Sequence, residues 1–279
     1  MISFKSYMLL CAIGSTINSC VIDGGWIPIL LYHLSTFYIS LGLVLLGKRH
    51  NILWSKKSFR SSEEVAWHFP MILSSIYFGL ISLKSVCEFL IVNNDEINFG
   101  KFVAYNENNA KLLGSFVWFG TYLCVDLFII LIHNLGNLET FLHHSIFGLI
   151  SYIMFNSCSA PFIGACLVTQ ELSTPFLNVF MLLRGYCGMN YIVTQLAFVL
   201  FIIMFFIFRI GLNTLATLMF LREFYRSIYS KSELIYTQSE ILILSIVLTC
   251  GMLLQFYWGY VIINKLYKMR KLYKLSKED

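Results

Sequence analysis

The chain is short of charge. Asp, Glu, Lys and Arg make up 13% of its 279 residues, against roughly 25% in an ordinary soluble domain. So few charged groups cannot cover the surface of a water-soluble globule of this size, and they exclude disorder and a coiled coil. Cysteine motifs are also missing. Cys11, Cys20, Cys87, Cys124, Cys158, Cys166, Cys187 and Cys250 form neither a CxxC pair nor a Cys/His metal spacing, and no metal site is expected. Most of them stand in apolar runs, where Cys acts as a small hydrophobe. No Asn-x-Ser/Thr sequon marks a lumenal loop, and no basic stripe with interleaved aromatics offers a nucleic-acid surface. What remains is apolar: 58% hydrophobic residues, 25 Phe and 16 Tyr, and a mean hydropathy of +0.72. The composition implies an all-α, multi-pass transmembrane helical bundle.

Uncharged runs give the spans. Helices are expected over 26–47, 65–92, 112–132, 140–156, 160–183, 190–220 and 240–265. The stretch Thr140–Gln170 is uncharged but would run about 45 Å as one helix. Asn156-Ser157-Cys158-Ser159 before Pro161 therefore reads as a hairpin between two helices, the second interrupted by Pro175. Five basic residues lie in Lys48–Arg60 and six in Lys265–Lys277, which assigns both segments to the cytosol. Asn93–Lys111, with Asp95, Glu96 and Glu107, reads as non-cytosolic. Parity agrees with this assignment and leaves the C-terminus cytosolic. Residues 6–22 are either a cleaved signal sequence or an additional helix. The tail Leu266–Leu275 alternates Lys or Arg with Leu, Tyr and Met, as a short interfacial helix or a frayed end would.

Ionisable groups within apolar spans are costly and usually face an interior. Asp126 stands mid-span, as a helix–helix hydrogen bond or the wall of a polar cavity. His143 and His144 are adjacent, about 100° apart on a helix. Either both reach one wide interior, or one faces inward while the other caps or reaches the interface. His is suited to general-base, shuttle and ligand roles, but no third ligand stands at metal spacing. Glu171, Pro175 and Asn178 share a helix face. Pro175 removes a backbone donor and disturbs the Glu171 carbonyl, which with Thr174 and Asn178 would line a polar pocket. Arg209 follows a long apolar stretch. It either pairs with a carboxylate, Glu171 or Asp126, or snorkels to the interface.

Taken in order, Tyr122-Leu-Cys-Val-Asp126-Leu, His143-His144, Glu171-Leu-Ser-Thr-Pro175-Phe-Leu-Asn178 and Phe206-Ile-Phe-Arg209-Ile resemble the TLC domain of translocating-chain-associating proteins, ceramide synthases and CLN-type proteins. The small TLC-domain-containing transmembrane proteins are the most similar in layout. The resemblance covers about residues 60–270. It implies a six-helix core around a central cavity, preceded by one or two N-terminal helices. Residues 1–59 would then hold the N-terminal helix or helices and the basic loop, 60–270 the TLC domain and 271–279 a cytosolic tail. In ceramide synthases the His pair belongs to the catalytic motif and acidic residues follow in a later helix. Here the later acidic position is Glu171, without a second Asp.

Three functions follow from the resemblance. One is a protein that binds membrane lipids or acyl chains in the bundle, with Asp126, Pro175, Asn178 and Arg209 at the cavity, and influences lipid composition. Another is an acyltransferase using acyl-CoA as co-substrate and no bound cofactor, with His143 or His144 as base or acyl acceptor and Glu171 and Asp126 orienting it. The third is an endoplasmic reticulum trafficking or cargo protein, although Lys277-Glu278-Asp279 carries no dilysine retrieval signal. The expected location is the endoplasmic reticulum or another endomembrane, with the plasma membrane as the alternative.

Overall fold

The structure is a computed structural model that describes residues 26–49, 59, 61–92, 110–156, 161–189, 191–230 and 238–278. Residues 6–22, most of the two loops at 48–60 and 93–111, and the hairpin at 157–160 lie outside the described residues. Among the described residues every regular element is helical: α1 (Trp26–Arg49), α2 (Ser62–Val92), α3 (Ala110–His133), α4 (Leu138–Asn156), α5 (Pro161–Thr169), a 3₁₀ turn (Gln170–Ser173), α6 (Thr174–Tyr186), α7 (Ile192–Met204), a π-helical segment (Phe205–Leu212), α8 (Asn213–Ser230) and α9 (Gln238–Glu278). Five stretches are long and apolar enough to cross a membrane: Leu30–Lys48, Ser62–Glu88, Phe162–Tyr186, Ile192–Arg222 and Leu242–Lys268. Phe119–His133 in α3 is a shorter apolar helix. The chain is an all-α multi-pass membrane bundle.

Local chemistry sets the ends. Ser61 Oγ accepts the Glu64 backbone N–H at 3.1 Å, and Glu63 and Glu64 complement the positive end of α2. Between α3 and α4, Asn134 and Gly136 take φ of 52° and 72°, where Asn and Gly carry the least penalty. Asn137 Oδ1 then accepts the Thr140 backbone N–H at 2.8 Å and starts α4. α8 and α9 run further than the expected ends at 220 and 265. Arg222 and Lys265 end an apolar span, but charge does not end a helix.

The interruption at Pro175 takes a specific form. Pro has no N–H for the Glu171 carbonyl, so the preceding turn tightens and the Thr174 N–H takes that carbonyl instead. The expected free carbonyl is therefore satisfied locally, and the polar groups this turn presents are side chains. α2 packs against the turn as well as against α1, α3, α5 and α6. At their contact an added Cβ on Gly79 would lie 2.7 Å from the Leu172 side chain, so glycine permits the approach.

The core joins α2–α5 to α8 and α9 through Phe78, Phe119, Tyr122, Phe147, Met154, Ile163, Ala216, Leu244 and Leu248. A second cluster, with Phe37, Val44, Val65, Ala66, Val125 and Ile129, seals α1 against α2 and α3. The exterior is also apolar. Leu31, Ile39 and Leu43 of α1, Ile192 and Leu196 of α7, and Ile246 and Leu253 of α9 are exposed, as lipid-facing positions should be. Buried positions include many polar side chains, His33, Asp126, Gln170, Glu171 and Arg209 among them. The bundle is thus apolar outside and partly polar within.

Candidate functional site: two polar clusters inside the bundle

The first cluster surrounds Asp126 of α3, which is fully buried. Its Oδ2 lies 2.8 Å from His144 Nδ1 of α4. Its Oδ1 accepts from Trp67 Nε1 of α2 at 2.6 Å and lies 3.6 Å from His33 Nε2 of α1. His33 is held in turn by a 3.2 Å contact between its Nδ1 and Ser74 Oγ and by the edge of the Tyr122 ring, 5.0 Å between centroids. One carboxylate thus gathers side chains from three other helices. A lone buried carboxylate would be expensive; the Trp67 hydrogen bond offsets part of that cost, and the two imidazoles stand within ion-pair distance without a formed hydrogen bond.

His143 and His144 are both buried. One turn of α4 points them at different neighbours. His144 faces Asp126, while the His143 ring packs on Phe147 at 4.6 Å and on Trp258 of α9 at 5.1 Å. Neither reaches the interface, so the alternative of one exposed imidazole is set aside. Trp258 Nε1 donates to Glu139 Oε2 at 3.2 Å, and His143 Nδ1 has no hydrogen-bond partner.

The second cluster surrounds Arg209 on the π-helical segment. It is 6% exposed, which excludes snorkelling. Its Nε donates to Ser173 Oγ at 2.6 Å and its Nη2 to Thr174 Oγ1 at 2.7 Å. Nη2 also reaches Glu171 Oε1 at 3.5 Å. Thr174 Oγ1 passes its own hydrogen to Glu171 Oε2 at 2.8 Å. Of the two carboxylates expected as partners of Arg209, Glu171 is the one beside it. The group beside His144 is Asp126. π-helical turns are rare and often mark functional positions.

α2 ties the clusters together. Trp67 reaches Asp126, while its neighbour His68 contacts Asn178 Oδ1 of α6 through Nδ1 at 2.5 Å. Asn178 Nδ2 donates to the Thr174 carbonyl at 2.8 Å. Pro175 contributes no polar atom; its effect is the tightened turn that aims Glu171, Ser173 and Thr174 at Arg209.

His33, Trp67, His68 and Trp258 reach these clusters, and Gln170 and Gln255 pair with each other in the interior, though none of them was singled out from the sequence. His33 and His68 stand in runs free of Asp, Glu, Lys and Arg. An imidazole in such a run is the cue that would have found them.

A profile of the TLC domain matches residues 62–264, from the start of α2 well into α9. Comparison with curated proteins gave no match. The match contains both clusters except for His33, which α1 supplies from outside it. With most of its length matched and with the helical membrane architecture in place, the chain belongs to the TLC-domain family.

Proposed function

We propose that this TLC-domain protein handles membrane lipid, holding a lipid or acyl chain among its helices and influencing membrane lipid composition. One observation carries the proposal. Side chains from α1, α2, α3, α4, α6 and the π-helical segment converge as buried polar clusters inside a bundle whose outer face is apolar. A bundle that only spans the bilayer has no need of ionisable interior groups, and each of them is costly there. An amphiphile with a polar head and an acyl tail suits such an interior. By the positive-inside rule the basic segments Lys48–Arg60 and Lys265–Lys277 face the cytosol, and an endomembrane is the proposed location. Native mass spectrometry of the protein in mild detergent is the test. A retained lipid, lost or diminished in an Asn178→Leu, Glu171→Gln variant, is expected; a lipid-free protein with an intact fold would sink the proposal.

Acyl transfer from acyl-CoA is a second reading, favoured by the 2.8 Å approach of His144 Nδ1 to Asp126 Oδ2. A carboxylate that orients an imidazole is a recurring arrangement in nucleophilic and general-base catalysis. In this reading Asp126 orients the imidazole, while Glu171 stands beside Arg209. Transfer from acyl-CoA to a long-chain base by the wild type, abolished in a His143→Ala, His144→Ala variant that still folds, would promote this reading over simple lipid binding.

A further inference from the structure

Neither of these functions uses the two glutamines that meet in the interior. Gln170 opens the 3₁₀ turn just before Glu171, and Gln255 lies on α9. They are 0% and 1% exposed. Gln255 Nε2 donates to Gln170 Oε1 at 3.2 Å. Gln170 Nε2 and Gln255 Oε1 are left buried with no hydrogen-bond partner. Turning both amides over exchanges the two residues' roles, but one donor nitrogen and one acceptor oxygen again remain. The unused pair of groups does not depend on how the amides are assigned.

The surroundings place this pair among the groups already described. α9 turns a face with Gly251, Gln255, Trp258 and Gly259 toward the bundle. A Cβ on Gly251 would meet the Phe147 ring at 3.4 Å, and one on Gly259 would meet Ile210 at 3.4 Å. Trp258, one turn from Gln255, packs on His143. Gln255 therefore sits between the His pair on one side and the Arg209 segment on the other. Arg209 itself is occupied by Glu171, Ser173 and Thr174, whereas the glutamines, like His143 Nδ1, keep capacity to spare and alone offer a donor and an acceptor on two touching amides.

Unpaired amide groups in a membrane interior are costly, and a pair of leucines in their place would carry no such cost. A single ligand satisfies both if it has a carbonyl to accept from the free N–H and, beside it, an N–H or O–H to donate to the free oxygen. A carboxamide and a protonated carboxylic acid have that form. An ester lacks the donor, an ionised carboxylate lacks it too, and a quaternary ammonium has neither group.

We propose that Gln170 and Gln255 form a recognition site for an uncharged acyl head in which an N–H or O–H donor stands beside a carbonyl. This rests on the lipid-handling function and narrows its ligand class. Binding is measured on the purified full-length protein in mild detergent with three probes of one chain length: oleamide, oleic acid and methyl oleate. The wild type is expected to bind oleamide at least about tenfold more tightly than methyl oleate, because the ester leaves the Gln oxygen unpaired. In Gln170→Leu and Gln255→Leu the amide and the ester should fall within roughly twofold of each other, with ester binding retained. Oleic acid should group with oleamide at about pH 3, where it carries its proton, and with the ester at about pH 9. The tighter of oleamide and acidic oleic acid tells which head the pair prefers. Should a Leu variant not fold, Gln255→Met keeps the unbranched shape without the amide. Equal binding of amide and ester by the wild type, or a preference that survives the substitutions, would overturn the proposal while leaving lipid handling intact. Failure of every probe to bind, together with absence of copurifying lipid, would overturn both.

Discussion

Asp126 and Glu171 are both carboxylates buried in the same bundle, yet they are held in opposite ways. Glu171 meets a permanent cation: the Arg209 guanidinium stays charged in proteins, and Ser173 and Thr174 close the ring of hydrogen bonds from the same turn. Asp126 meets two imidazoles and an indole, brought from three separate helices. An imidazole is neutral or charged according to its surroundings. The Glu171 cluster is therefore a fixed tie between the 3₁₀ turn and the π-helical segment. The Asp126 cluster instead joins α3 to α1, α2 and α4 through two imidazoles and an indole. Two carboxylates of one bundle are thus held by different kinds of partner.

That contrast is open to test in order of expected effect. Arg209→Leu should be the most damaging change. It strands Glu171 and should cost about 3–5 kcal/mol in reversible unfolding in detergent. Glu171→Leu, Arg209→Leu together should lose clearly less than the sum of the single variants, by roughly 0.5–3 kcal/mol. Additive losses would show that the 3.5 Å approach is incidental. Asp126→Asn keeps an acceptor for Trp67 but removes the carboxylate, and should cost about 1–3 kcal/mol. A double-mutant cycle with His144→Ala should reveal coupling. A loss as large as that of Arg209→Leu would erase the distinction between the clusters.

Gly79→Ala probes the scaffold beneath the Glu171 cluster. The new Cβ would lie 2.7 Å from the Leu172 side chain, so α2 must move from the turn or Leu172 must repack, at about 1–3 kcal/mol. Unchanged stability would mean that the side chain yields freely. The smallest effect is expected for His143→Phe. That substitution keeps the ring contacts with Phe147 and Trp258 and removes an Nδ1 that has no partner, so stability should change by less than about 1.5 kcal/mol. A large loss would give His143 a structural duty that its contacts do not explain.

The membrane class and the helices were legible because the bilayer imposes a length and a polarity that hydropathy reads directly. Pro161 and Pro175 gave the two breaks between 140 and 186, since each removes a donor that a continuous helix needs. The ends were less legible. α8 continues to Ser230 and α9 to Glu278, because leaving the apolar layer does not unwind a helix. In the interior, Asp126 and Arg209 stood out because charge in an apolar run is conspicuous. His33, His68 and Gln255 did not, since one neutral polar residue scarcely alters the hydropathy of twenty. Which carboxylate faces Arg209 is a matter of how helices distant in sequence are rotated against each other, and no local pattern encodes it.

The π-helical segment has a geometric consequence for everything that follows it. Thr194, Ala197, Phe201, Phe205, Arg209, Asn213, Ala216 and Phe220 are all buried, and from Ala197 to Asn213 they recur every fourth position. On an α-helix of about 100° per residue, those sixteen positions would drift by about 160°, carrying Asn213 to nearly the opposite side from Ala197. The wider i→i+5 turns of Phe205–Leu212 take up that drift and keep one inward stripe in phase through Arg209. Deleting a single residue within the segment would let ordinary turns close. Fifteen α-helical steps leave only about 60° of drift, so the shortened helix would keep Ala216 and Phe220 near the core, whereas ordinary turns with every residue kept would carry them out of it together. The rare turn thus works as a phase corrector, setting the azimuth of a long helix from the position of the buried Arg209.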